Sequence, residues 1–276
     1  MNMIRDEETD LHGGVKKSTS ADQTHEPVQI KEGDFILVDY TVDLPAEGKV
    51  IDTTIEEIAR ENKIYNENEP YEPALVVVGK GFLLKEVEKQ LVGVKVGEEK
   101  EIVLPPEKAF GPRDPGKIRV IPAIELSRRG VIPRVGMRVE VNGNIAIVRS
   151  VGGGRVQLDF NHPLAGKTLR YRVKIVKILA SNKEKIRAII GRRLRGIEPK
   201  DIEITERNKT VYIKLPDSIL VVERLGIILR GIALDIRNLL PEEYESVVFS
   251  VKLKLKERKP EAKTEAAKTE AKEKQG

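Results

Sequence analysis

The sequence predicts an α+β protein built from antiparallel β-structure with short helices over 31–179 and a separate compact α-β-β-α-β unit over 183–255. Three observations carry this. Apolar residues alternate with polar ones in short runs, most plainly Leu169, Tyr171, Val173 and Ile175 set among Arg and Lys. Glycine and asparagine turns separate the runs, and Asn142-Gly143-Asn144 is a tight-hairpin signal. Past Asn182 the spacing turns helical, and the apolar stretch Ser218–Leu240 is long enough for a buried helix.

Taken in order, residues 1–30 are polar without a hydrophobic period and predict a disordered leader. Phe35–Asp43 and Val50–Asp52 are strand-like, and Thr54-x-x-Glu57 is a capping box for a short helix Ile55–Asn62. Tyr65–Pro73 is a loop rich in Asn, Glu and Pro, and Ala74–Val78 returns as a strand. In the next helix Leu83, Leu84, Val87 and Leu91 share one face, with Lys85, Glu86, Glu88 and Lys89 facing water. Lys100–Leu104 is a strand, and the loop Ala109-Phe110-Gly111-Pro112 follows. Strands are expected at Arg138–Asn142, Ile145–Val151, Val156–Phe160 and Thr168–Leu179. The second unit reads as a basic helix Lys183–Arg195, strands Asp201–Thr205 and Thr210–Leu215, the helix Ser218–Leu240 and a strand Ser246–Leu255. Residues 256–276 repeat Glu-Ala-Lys with no larger apolar side chain, which predicts a charged disordered tail.

Composition narrows the chemistry. The chain has 276 residues, 49 basic and 44 acidic side chains, a net charge of +5 and no cysteine. Thiolate nucleophiles, disulfides and cysteine zinc sites are excluded. The three histidines lie at 12, 25 and 162 without metal-ligand spacing, so no metal and no cofactor is expected. No signal peptide is visible, and Glu223, Arg224, Arg230, Asp235 and Arg237 make the apolar helix unfit for a membrane, so a cytoplasmic protein without a membrane partner is expected. The near balance of charge argues against a nucleic-acid partner, and the basic helix reads better as a solvated face.

Five motifs occur in register: Val38-Asp39-Tyr40-Thr41, Ile51-Asp52-Thr53-Thr54, Val78-Gly79-Lys80-Gly81 through Val96-Gly97-Glu98, Ala109-Phe110-Gly111, and Leu169-Arg170-Tyr171-Arg172-Val173. Together they make 31–179 resemble the FKBP-type peptidyl-prolyl cis-trans isomerases. An insertion, 119–160, followed by Asn161-His162-Pro163-Leu164-Ala165-Gly166, resembles the SlyD-like branch, and the added second unit suits an archaeal-type long form. The resemblance implies an antiparallel β half-barrel around a short helix, with the insertion as a flap that binds unfolded or proline-containing polypeptide.

It also implies a site. Tyr40, Asp52, Phe110 and Tyr171 would be its catalytic residues, and Val76, Leu83, Leu84, Val87 and Leu164 would contact substrate. The loop aromatic of the family is often Tyr but is Phe110 here, and Val87 stands where many relatives have a large aromatic; both leave a more apolar pocket. Val131, Ile132, Val135, Met137, Ile145, Ile147 and Leu158 would give the flap a small core and an exposed patch. Prolyl isomerisation with chaperone activity is the function this implies. A non-catalytic holdase of the same fold is the alternative, and a ribosome- or nucleic-acid-associated factor ranks behind both. The apolar helix of 183–255 is expected to form a homodimer.

Overall fold

The structure, a computed structural model, describes residues 29–253. In chain order these form β1 (Phe35–Leu44), β2 (Lys49–Thr53), α1 (Glu56–Glu61), β3 (Ala74–Val77), α2 (Lys85–Leu91) and β4 (Glu99–Leu104). The flap follows as β5 (Ile118–Pro122), α3 (Ala123–Ser127), β6 (Arg138–Val141), β7 (Asn144–Gly152) and β8 (Arg155–Asp159). The chain returns through β9 (Leu169–Ile178) and continues as α4 (Asn182–Arg193), β10 (Glu203–Arg207), β11 (Thr210–Pro216), α5 (Leu225–Leu239) and β12 (Ser246–Lys252). Among the described residues no helix is long and apolar enough to cross a membrane.

The fold is α+β with three sheets. The first has the order β2-β1-β9-β4, with β3 pairing the other half of β1, and every pairing is antiparallel. The flap sheet runs β5-β8-β7-β6, also antiparallel. In the third sheet β10 and β11 pair antiparallel, but β12 joins β11 in parallel. A parallel pair needs a crossover, and α5 is that crossover.

β1 begins as an unbroken apolar run because both its faces are covered. Ile36 and Val38 point into the core beneath α2 with Leu91 and Ile102. Phe35, with Leu75, Val77 and Leu179, points the other way into a core made by Ile186, Ile189 and Ile190 of α4 and Ile232 and Ile236 of α5. Each fully buried side chain of this size contributes about 1.5–3 kcal/mol. The second unit is therefore welded to the first sheet by a common core. The flap has a core of its own, centred on Leu126, Val148, Val156 and Leu158.

Several expectations need correction. Gln29 bridges Lys95, and Ile30 is 1% exposed with its N–H donated to Val94 O, so the ordered fold starts before residue 31; the rest of the expected leader, and the tail 256–276, lie outside the described residues. Thr54 does not cap α1: its hydroxyl donates to Asp39 and accepts from the Tyr40 N–H, and Ile55 holds the cap position without a side-chain bond. The single helix expected over 218–240 is broken, because Asp217–Val221 forms a 3₁₀ turn, Val222 is extended and Arg224 is left-handed at φ 57°. The break lets Ile219 and, a separate helix later, Ile232 and Ile236 all reach the same core. Three cations of the basic helix are engaged within the chain, although Lys183, Arg192, Arg193 and Arg195 stay exposed as a solvated face requires. Lys185 lies over the Phe35 ring, Arg192 over Phe82, and Arg193 pairs with Asp235. The hairpin at Asn142-Gly143 forms as read, with φ of 53° and 76°.

Candidate active site

The site is assembled from the concave side of the first sheet, the turn before α2, the loop after β4 and the chain leaving the flap. Tyr40 is fixed by its backbone: its N–H donates to Thr54 Oγ1 at 2.9 Å, and its carbonyl accepts from the Thr54 N–H and the Thr53 hydroxyl, both at 3.0 Å. Its phenol donates to Asp52 Oδ2 at 3.0 Å. Burial, the charge of Asp52 and the hydrogen bond to it push the Tyr40 pKa well above the ordinary phenol range. Tyr171, on the central strand β9 opposite Val42, is buried beside this pair, and burial followed by the Asp52 charge pushes it up to about 12. Both phenols are neutral at any physiological pH. Because the one proton of Tyr40 goes to Asp52, Tyr40 orders the polar rim and does not donate into the apolar cleft.

The loop after β4 turns through Pro106–Lys108, and the Gly111 N–H closes it on Pro106 O at 2.7 Å. Gly166 N–H then donates to Gly111 O at 2.8 Å, tying the flap's return chain to the loop. Phe110 stacks on His162 with ring centroids 4.1 Å apart and planes 7° apart. His162 Nδ1 accepts the Leu164 N–H at 3.2 Å, so the neutral ring carries its proton on Nε2. His162 thus has a turn-stabilising bond, as its place before a proline suggests, and also extends the aromatic wall begun by Phe110.

The turn before α2 depends on a residue misread from helical spacing. Glu88, expected to face water, is 2% exposed, and its carboxylate accepts backbone N–H bonds from Gly79 at 2.8 Å, Gly81 at 3.1 Å and Leu83 at 2.7 Å. Gly79 and Gly81 are left-handed at φ 84° and 76°, which turns their amides inward toward one acceptor. Glu88 thereby sets where Leu83 and Leu84 stand. Helical periodicity does not reveal it, because the side chain leaves its own helix to serve the preceding loop.

The structure brings all the expected site residues except Asp52 into one apolar cluster, with Asp52 joined to it through Tyr40. Tyr40, Leu83, Leu84, Phe110 and Leu164 are half-buried and present surface. Val76 and Val87, at 1% and 0% exposure, do not; the floor they were expected to form lies behind that surface and supports it. Ile51, Ala74, Phe82 and Ala109 are half-buried against the same cluster and were missed. Ile51 and Ala74 had a signal available, since each flanks a residue already singled out on its strand or lies two before it on the same face.

Among the described residues the arrangement holds no paired nucleophile and base. It offers an apolar concavity with a fixed carboxylate at the rim, suited to an apolar ring and the amide beside it.

Comparison with known proteins finds three family matches along the chain. Residues 26–125 match the family described as FKBP-type peptidyl-prolyl cis-trans isomerase, 119–164 match "FKBP26, IF domain", and 182–254 match "FKBP26_C-terminal". A short-type peptidyl-prolyl cis-trans isomerase of Methanocaldococcus jannaschii is 42% identical over 155 residues, 56% of this chain and 98% of that protein. The FKBP-type isomerase SlyD of Helicobacter pylori is 29% identical over 171 residues, 60% of this chain and 83% of its own. An FKBP-type 16 kDa isomerase of Escherichia coli is 29% identical over 154 residues, 54% and 93% respectively.

Proposed function

The chain belongs to the FKBP-type peptidyl-prolyl cis-trans isomerases, with SlyD-like homologues, and from that premise we propose that residues 31–179 rotate X-Pro bonds in polypeptides held by the flap 119–160. The protein would be a long form in which 183–255 adds a further unit. The observation that carries this reading is the convergence of Tyr40, Leu83, Leu84, Phe110, Leu164 and Tyr171 on one apolar cluster at the flap's return.

Rotating a prolyl amide requires no bond to break. The barrier is about 18–20 kcal/mol because planarity carries resonance, and the uncatalysed step takes tens of seconds. The twisted amide is less charge-separated than the planar one, so an apolar cleft favours it over the ground state. A wall shaped to the twisted ring adds differential binding. In this reading Leu83, Leu84, Phe110 and Leu164 grip the ring, and Tyr171 backs the wall. Asp52, held by Tyr40, orients the polar rim.

The flap suits the holding step. Ile132, Val135 and Ile145 are 75%, 69% and 67% exposed, and β6 is an edge strand beside them. An extended chain would add to that edge by backbone hydrogen bonds and lay apolar side chains on the patch. A non-catalytic holdase is the second reading, favoured by the commitment of the Tyr40 proton to Asp52 and by the missing hydroxyl at Phe110. The C-terminal unit would pair two copies through exposed Val221 and Ile227, and a monomer in sedimentation at micromolar concentration would remove that part.

The test is prolyl isomerisation of a short peptide and of a slow-folding protein, compared among wild type, Phe110→Ala and a chain lacking 119–160. The expected result is at least tenfold loss of both activities in Phe110→Ala, about 1.4 kcal/mol or more of transition-state binding. Deleting the flap should spare the peptide and impair the protein substrate. Wild-type rates equal to buffer would sink catalysis and leave the holdase.

A further inference from the structure

Where the flap returns to the first sheet, a cavity of about 320 Å³ has Arg113, Arg149, Asp159, His162 and Lys167 among its walls. Ile147 and Pro163 add apolar surface. Arg113 and Lys167 come from the isomerase side, while Arg149 and Asp159 come from flap strands. His162 belongs to both this cavity and the Phe110 stack, so the cavity begins where the prolyl cleft ends.

The charge in these walls is unbalanced. Arg113, Arg149 and Lys167 face the one carboxylate of Asp159, an excess of two cations. Asp159 is already fully engaged, with Oδ1 accepting from the Asn161 N–H at 3.0 Å and its side-chain amide at 2.8 Å, and Oδ2 accepting from Arg149 and Arg113. A guanidinium has five N–H donors, and Asp159 takes only part of each set. The Arg113 and Arg149 side chains remain 43% and 41% exposed, so donors are left over on both. Lys167 pairs with Glu47 at 2.6 Å, but both partners are exposed, so the pair is weak and open to exchange with another carboxylate.

We infer that this cavity takes a carboxylate of the client, an Asp or Glu side chain lying about two or three residues from the proline, and so biases the protein toward acidic segments. The inference rests on the polypeptide-binding reading above. A partly open space of this size accommodates one side chain of a polypeptide lying along the prolyl cleft. Ile147 and Pro163 suit the methylene stem of Glu, and leftover guanidinium donors suit its two oxygens. Discrimination against the neutral isostere comes from the unmatched cations of an empty site.

Binding of fluorescently labelled peptides to the full chain tests this, with one X-Pro core and Glu, Gln or Lys placed at the second and third positions on either side. The Glu peptide should bind about tenfold tighter than the Gln peptide at low salt, with Lys weakest, and the preference should shrink at high salt. Lys167→Gln should reduce the Glu-over-Gln ratio, and Glu47→Gln, which frees Lys167, should raise it; neither change touches the Asp159 cluster. Equal affinity for Glu and Gln peptides in every position overturns the inference. Isomerisation of the same peptides separates the two readings. Turnover without acid preference defeats only the anion site, whereas acid preference without turnover defeats only the catalytic reading.

Discussion

The flap and the C-terminal unit are both additions to the same five-stranded sheet, and they are attached in opposite ways. The flap hangs from two crossing chains joined by polar groups. Asp114 N–H donates to Asn161 Oδ1, Asn161 Nδ2 donates back to Asp114 O, and Asp159 gathers Arg113 and Arg149. Its apolar core is its own. The C-terminal unit has no separate core on this side: Phe35, Leu75, Val77 and Leu179 of the sheet complete the packing of α4 and α5. A polar joint exchanges its bonds with water for about 1 kcal/mol each, while an apolar joint loses its whole buried area when it opens. An arm that grips polypeptide, as proposed for the flap, needs the first kind of attachment, and a buttress needs the second.

The contrast is broken most severely at Phe35. Phe35→Ala should cost about 3–5 kcal/mol and make both units melt together at a lower temperature in calorimetry, because the cavity lies in their common core. A loss confined to one of two separate transitions would mean that the units are not welded.

At the polar joint the expected effect is smaller. Asp159→Asn should cost about 2 kcal/mol at neutral pH while leaving the flap's own core folded, checked by amide exchange of β6–β8. Burial alone would raise the Asp159 pKa, but hydrogen bonds from Asn161 and Arg149 and the charge of Arg113 outweigh it and hold it below the ordinary carboxylate range. Its contribution is therefore complete above about pH 4 and is lost as pH falls through the lowered value, so acid should loosen the flap joint in wild type but not in Asp159→Asn. Persistence of wild-type exchange rates in the crossing chains at low pH would count against a polar hinge.

The smallest change is Tyr40→Phe, which removes one hydrogen bond at the rim for about 1 kcal/mol. Since the folded pKa values of Tyr40 and Tyr171 lie above the unfolded one, the stability they add is full below about pH 10 and declines only above it. Neither phenol should give the isomerisation rate a pH dependence between pH 6 and about pH 9, and a several-fold change there that survives His162→Gln would show another titrating group in the site.

Strands with one wet face were legible to within a residue or two, as at β4 and β9, because alternation is a local signal. What escaped depended on distant neighbours. Glu88 looks solvent-facing until the turn at Gly79–Leu83 is folded onto it. Ser218–Leu240 looks like one helix because apolar content does not encode the left-handed Arg224 that splits it. Of the site, Tyr40, Phe110 and Tyr171 were named through five motifs of a known family, and Leu164 through the Asn161–Gly166 pattern after the insertion, rather than through periodicity. Periodicity alone would have assigned most of them to an ordinary core. The Phe110–His162 stack was missed because His162 follows the flap and meets the loop only across some fifty residues of chain.

The double-faced β1 has a consequence for biosynthesis. Once β9 has emerged from the ribosome the first sheet can close, yet its Phe35, Leu75 and Val77 face stays bare until α4 through β12 have been made. That is about 70 residues, roughly 4–14 s at ordinary elongation rates. For that interval the nascent chain displays the kind of apolar surface that the flap is proposed to hold, so on that reading each newly made copy would be a client for those already finished.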